Sequence, residues 1–290
     1  MSTGIVIAGE GAIGASRLSP SLRRRCLLLA AAGAAGATLA ALPALAAAPS
    51  AYIPDPDDPY RSLPWLDLRQ EIAGKAPVAF DRRVEVLGPS FAEDPMNVPI
   101  SVRVDPTLGT VERIVVVVDR NPIRKVLEYE PMQARPSLAF RFKLEQASPV
   151  RAVVRLADGR WVAGGTWVDS AGGGCTVPGA TRKDGSWSQT LGQVSARLFA
   201  RPHDDGLAGA RLRLQVMHPM DTGLVSGIPA FFVNRLSVRD GQGRELARLA
   251  AFEPVSENPV FSFDFARPPA GGVHVTGSDN NGNRIRKRLP

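Results

Sequence analysis

Val98-Pro99-Ile100-Ser101-Val102-Arg103-Val104 alternates apolar and polar side chains with period two. That is the pattern of a strand with one face in a core and the other in water. Downstream, Val111–Val118 ends in the continuous apolar run Val115–Val118, which reads as a strand covered on both faces. Leu138–Leu144, Val150–Leu156 and Arg160–Val168 follow, the last two joined by the tight-turn dipeptide Asp158-Gly159. Val84–Leu87 opens this series on the upstream side. A second series comprises Val194–Phe199, Arg211–Met217, Phe231–Arg239, Glu245–Ala251, Val260–Phe265, Val273–Gly277 and Arg284–Arg288, with hairpin turns at Asp240-Gly241 and Asn281-Gly282. The fold class is therefore all-β, and each half carries the strands of one immunoglobulin-like sandwich.

Between the two series the pattern breaks. Ser170-Ala171-Gly172-Gly173-Gly174-Cys175-Thr176-Val177-Pro178-Gly179 has no periodicity and reads as a flexible linker. The expected layout is two separate sandwiches, 76–170 and 188–290, joined by a glycine-rich linker at 171–187. Residues 47–75 are rich in Pro and Asp and read as an extended N-terminal segment, with a helical turn around Trp65–Ile72. Trp161 and Trp167 fall on one face of their strand, where core packing is the default and docking beside the linker the alternative.

Composition agrees: 44% of residues are hydrophobic and 22% charged, enough apolar material for packed cores, and 28 Gly with 25 Pro favour many turns. The net charge of +7 is concentrated at the ends, in Arg17, Arg23, Arg24 and Arg25 and in Arg284, Arg286, Lys287 and Arg288. No basic stripe with interleaved aromatics is visible, so a nucleic-acid partner is not expected. The basic C-terminus reads as a solvated strand end, or else as a docking patch for an acidic partner.

Arg23-Arg24-Arg25 precede an alanine-rich run from Cys26 to Leu42, and Pro43-Ala44-Leu45-Ala46 follows. A charged region, an apolar region and a small-residue site in that order describe an export signal over 1–46, cleaved near Ala46, with paired arginines of the twin-arginine kind. The run is too poor in large apolar residues to anchor the chain as a membrane helix. The expected location is the periplasm.

Removal of the leader leaves Cys175 as the one thiol. A single cysteine in an exported chain is a reactive or intermolecular thiol, or else a small buried hydrophobe. The flanking glycines offer no side chains to shield it, so exposure on a mobile arm is expected, with Gly172, Gly173 and Gly174 supplying the flexibility. Arg182 and Lys183 would lower its pKa, and Asp169 and Asp184 would raise it. Catalysis in place would need a base beside the thiol, and the linker has no histidine. His203, His218 and His274 show no metal-ligand spacing, and no nucleotide-binding loop or nucleophile elbow is present. Glu93-Asp94 before Pro95 reads as a turn rather than an acid–base pair. A carrier without its own active site, cofactor or metal is the expectation. The alternative is a non-covalent binding or assembly module with Cys175 incidental.

Thr166–Cys175 resembles the C-terminal end of the sulfur-carrier protein of the Sox thiosulfate-oxidation system. His218-Pro219-Met220-Asp221-Thr222-Gly223, Ile228–Arg235 and Ser256-Glu257-Asn258-Pro259 resemble motifs of its partner subunit. Phe80–Val84 and Ala92–Pro99 resemble the fused SoxYZ-like carriers found with quinoprotein dehydrogenases. The resemblance covers about 75–290 and implies two immunoglobulin-like domains, SoxY-like and then SoxZ-like. It also implies a covalent carrier thiol at Cys175 that holds a small sulfur group or a one-carbon or other oxidation intermediate. The implied partners are periplasmic oxidoreductases, either quinoprotein dehydrogenase or Sox-type enzymes. His218 and Asp221 are candidate docking residues. In the carrier protein the cysteine is followed by two glycines and the chain end, whereas here Thr176-Val177-Pro178 ties the arm at both ends.

Overall fold

A computed structural model of the chain describes residues 55–182, 185, 187–202 and 208–290. The leader with its arginines and Cys26, and also Lys183, Asp184 and His203, lie outside the described residues. The N-terminal half contributes helix α1 (Trp65–Ala73) and strands β1 (Val78–Phe80), β2 (Val84–Leu87), β3 (Phe91–Ala92), β4 (Val98–Val104), β5 (Val111–Val118), β6 (Lys125–Glu130), β7 (Ser137–Phe142), β8 (Ser148–Leu156) and β9 (Trp161–Ser170). The C-terminal half contributes a short α2 (Trp187–Thr190) and β10 (Val194–Pro202), β11 (Ala208–Val216), β12 (Val233–Asp240), β13 (Glu245–Ala251), β14 (Val260–Phe265), β15 (Val273–Asp279) and β16 (Arg284–Leu289). The period-two reading of β4 holds residue by residue: Val98, Ile100, Val102 and Val104 are buried, and Pro99 and Arg103 face water.

The all-β sandwich class is as expected, and each half supplies strands to both layers. The halves, however, are not separate bodies. One sheet runs β1-β9-β8-β5-β6-β13-β12-β15-β16 and the other β10-β11-β14-β7-β4-β2. In the first, β6 pairs antiparallel with β13 (Tyr129 opposite Leu249); in the second, β7 pairs with β14 (Leu138 opposite Phe263). Two sandwiches have joined edge to edge, so one hydrophobic core runs from Val84 to Leu289 without interruption. The physical reason is the cost of open edges. Strands β6, β7, β13 and β14 would each expose a row of unpaired N–H and C=O groups, and pairing them removes all four edges. Tyr129 and Phe263 pack across this seam with ring centroids 5.8 Å apart.

The run Val115–Val118 is covered on both sides as predicted. Val116 and Val118 enter the main core, while Val115 and Val117 form a second cluster with Trp65 and Leu68 of α1. The segment before α1 is not the extended tether the sequence suggested. Asp58 is buried and accepts two hydrogen bonds from Arg151 of β8, at 2.7 and 2.9 Å, while Asp119 takes the other edge of the same guanidinium. Trp65 and Tyr60 stack on that guanidinium at 4.3 and 4.9 Å. A buried arginine needs this full complement of partners, and the two aspartates supply it. No helix among the described residues is long and apolar enough to cross a membrane.

Candidate functional site

The polar cluster around Cys175 lies at one end of the seam. Beyond Phe142 the β7–β8 connection carries Lys143, Leu144 and Glu145, and beyond Val255 the β13–β14 connection carries Ser256 and Glu257. The two connections are tied by the bridge Phe142–Val255 and by the hydrogen bond from Lys143 N–H to Pro254 O at 2.6 Å. The β11–β12 connection, His218 to Phe232, closes the third side.

Residues 171–182 lie along this floor. Gly172 and Gly173 adopt φ of +98° and +85°, which favour glycine. Gly173 and Gly174 donate backbone hydrogen bonds to the carbonyls of Glu145 and Leu144, both at 3.2 Å. A Cβ on Gly174 would lie 2.3 Å from Pro95 O and 2.5 Å from Leu144 O. The glycines therefore allow close approach of backbone to backbone and do not keep the arm loose.

Cys175 is consequently buried, with 1% of its surface exposed, which corrects the expectation of a solvent-reachable thiol. Its N–H donates to Glu145 Oε2 at 2.8 Å, and Thr222 Oγ1 donates to its carbonyl at 2.7 Å. Thr176 Oγ1 donates to Glu145 Oε1 at 2.8 Å. The thiol points to Lys143 O at 3.6 Å, a weak hydrogen bond. Although buried, Cys175 belongs to neither hydrophobic cluster. Burial pushes the thiol up to about 12; the Glu145 carboxylate adds to this and the Lys143 ammonium opposes it. As docked, Cys175 is a protonated thiol.

Farther along, Thr181 donates from both its N–H and its hydroxyl to Glu257 Oε2, at 3.0 and 2.9 Å. The arm is thus clipped by two carboxylates, Glu145 from the first half and Glu257 from the second. Between them lies Lys143, whose Nζ donates to Met220 O. Burial lowers the Lys143 pKa, while Glu257, Cys175 and Asp221 pull it back up.

His218 and Asp221 are both buried, so in this fold neither presents a docking surface. His218 Nδ1 accepts the Met220 N–H at 3.0 Å, Nε2 lies 3.5 Å from Asp279 Oδ2, and the ring packs at a tilt against Phe231, centroids 4.3 Å apart. With Nδ1 accepting, the ring proton sits on Nε2 and faces the carboxylate. Asp221 pairs its backbone with Phe231, the N–H donating at 2.7 Å. Both residues shape the connection that brings Thr222 to Cys175.

All the short stretches that carried the resemblance, apart from Phe80–Val84, converge here. Pro95 O accepts from Leu144 N–H at 2.7 Å, and Met96 O accepts from Ser256 Oγ at 2.7 Å. Asn258 Oδ1 accepts from His218 N–H at 3.1 Å. The acidic pair Glu93-Asp94 closes a turn, as its sequence suggested: Asp94 Oδ1 accepts from Met96 N–H at 2.9 Å. Sequence reasoning missed Lys143, Glu145 and the seam position of Glu257, because a lone Lys or Glu after a strand carries no local signal. Among the described residues no group of three or more His, Cys, Asp or Glu is placed to hold a metal ion.

Two family profiles match the chain in tandem: sulfur oxidation protein SoxY over residues 69–175 and sulphur oxidation protein SoxZ over 203–290. No curated protein sequence matches the chain. Among solved structures, the sulfur carrier protein SoxY from Chlorobium limicola f thiosulfatophilum is similar over 37% of this chain and 90% of its own, with 17% identity and a TM-score of 0.34.

Proposed function

Because the chain belongs to the SoxY and SoxZ sulfur-oxidation families, one region of each in a single polypeptide, we propose that it is a covalent carrier that holds a sulfur group on Cys175. The observation that carries this reading is where the SoxY match stops: its last residue is the thiol. The arm that bears the thiol pairs with no strand among the described residues and is held by eight hydrogen bonds, each contributing about 1 kcal/mol net. Release of the arm loses these bonds but regains roughly 1 kcal/mol of backbone entropy per freed residue, so it costs less than global unfolding and leaves the sandwich folded. Docked, the protonated thiol is protected from oxidation; released, it regains ordinary acidity and becomes a nucleophile. The partners in this reading are Sox-type oxidoreductases or a quinoprotein dehydrogenase in the periplasm, supported by the leader pattern and by the resemblance of Phe80–Val84 and Ala92–Pro99.

The burial of Cys175 favours a second reading, a non-covalent assembly module in which the arm is a permanent brace across the seam. Incubation of the folded chain without residues 1–46, and so without Cys26, with tetrathionate separates the two. A carrier thiolate attacks an inner sulfur, displaces thiosulfate and keeps a cysteine S-thiosulfonate, visible by intact mass and absent in Cys175→Ser. If the folded protein gains no adduct while the unfolded chain does, the brace reading stands. Formaldehyde in place of tetrathionate tests a one-carbon cargo in the same way.

A further inference from the structure

The outer face of the sheet β10-β11-β14-β7-β4-β2 is strongly cationic, and no local stretch of sequence announces it. Its water-facing positions carry Arg103 on β4, Arg141 on β7, Arg211 and Arg213 on β11, and Arg197 and Arg201 on β10. The carboxylates on this face are the exposed Glu85 and the buried Asp264. Asp264 is already neutralised, accepting from Arg211 at 2.6 and 2.8 Å. Arg103, Arg141 and Arg213 make no ion pair among the described residues.

A trough of about 430 Å³ crosses this face. Strand register gives its floor: Leu87 lies opposite Ser101, Ser101 opposite Ala139, Ala139 opposite Ser262, and Ser262 opposite Arg213. The three central side chains are small, so the surface is low there, while Arg141 and Arg213 rise beside it. Two large apolar side chains mark its ends, Leu87 at 47% exposure and Phe199 at 41%. The row from Leu87 to Arg213 crosses four inter-strand spacings, about 19 Å, the length of about six residues of extended chain.

We propose that this trough docks an extended acidic segment of a partner protein, glutamate or aspartate side chains pairing with Arg141 and Arg213 and apolar side chains resting on Leu87 and Phe199. Charge complementarity selects the acidic partner. The combination of arginine with exposed aromatic and aliphatic side chains is that of a protein interface. A single-stranded nucleic acid would instead need a series of stacking aromatics, and among the described residues Phe199 is the one exposed aromatic that lines the trough. The trough exists only because β7 pairs with β14, so each half of the fused chain contributes one side of it. The proposal is independent of the chemistry at Cys175.

The test is fluorescence anisotropy with a labelled peptide of alternating glutamate and serine carrying a leucine at each end, added to the full chain at low salt. Arg141→Glu with Arg213→Glu should weaken binding on the order of tenfold or more, as expected when like charges replace complementary ones. Ala139→Tyr, which fills the floor without changing charge, should weaken it at least several-fold. Arg235→Glu with Arg286→Glu makes the same charge change on the other sheet and should leave binding within about twofold, with thermal melts confirming that all variants fold. The proposal is overturned if the wild type does not bind, if the two charge variants weaken binding equally, or if Ala139→Tyr has no effect. It is also overturned if single-stranded DNA or anionic phospholipid vesicles displace the peptide from the trough.

Discussion

The Cys175 thiol keeps its proton up to about 12, against an ordinary value of 9.0, first because it is buried and then because Glu145 faces it. Unfolding returns the group to its ordinary acidity. Between those two pH values the unfolded chain binds fewer protons than the folded one, so stability falls as pH rises. The contribution is complete below about pH 9 and is lost toward pH 12, at up to about 1.4 kcal/mol per pH unit. Chemical denaturation at pH 8 and pH 10.5 should show this loss in the wild type and a shallower one in Cys175→Ala. Glu145 acts on the thiol twice, by its charge and by holding the Cys175 N–H and the Thr176 hydroxyl. Glu145→Gln should therefore lower the thiol pKa and speed alkylation by iodoacetamide at pH 8 on the order of tenfold. An unchanged rate would mean that Glu145 does not hold the arm.

At the scale of the element, the arm is docked because its glycines let backbone approach backbone. Gly174→Ala would put a methyl group within 2.6 Å of the Leu144 and Pro95 backbone, where nothing flexible can yield. The arm must lift instead. Alkylation of Cys175 should rise by at least tenfold while the main thermal transition moves little, since the arm contributes to neither hydrophobic cluster. A large drop in melting temperature with the thiol still protected would show that the arm is part of the core. The strands themselves were legible: β4, β5, β13 and β14 have the bounds expected from alternation or apolar runs. Strand β6 was not. Its Lys125, Glu128 and Glu130 break the apolar pattern, and the two glutamates are satisfied sideways, Glu130 by Arg248 of β13 at 2.9 Å and Glu128 by Arg113 of β5 at 3.7 Å. A strand whose polar side chains find partners on its neighbours looks like a loop when read alone.

At the scale of the whole molecule, the continuous core makes one cooperative unit. Heat or denaturant should unfold the chain in a single transition, with fluorescence and far-ultraviolet dichroism coincident. Residues 188–290 expressed alone should fail to give a stable monomer, because β13 and β14 would be left as open edges. Two resolved transitions would instead mean that the halves fold independently and that the seam adds little. The sequence by itself determined the all-β class, most strands and their inward faces, and the thiol, because period-two alternation, turn dipeptides and a lone cysteine are local signals. It also pointed, through short stretches spread along the chain, to the residues that gather around Cys175. Only the tertiary structure decided that the sandwiches fuse, that the glycine-rich arm is docked rather than loose, and that arginines from separate strands form one face. Edge pairing between strands more than a hundred residues apart leaves no periodicity in either partner. Whether a glycine gives freedom or close contact depends on what lies within a few ångströms of its missing Cβ, and the sequence around it does not say.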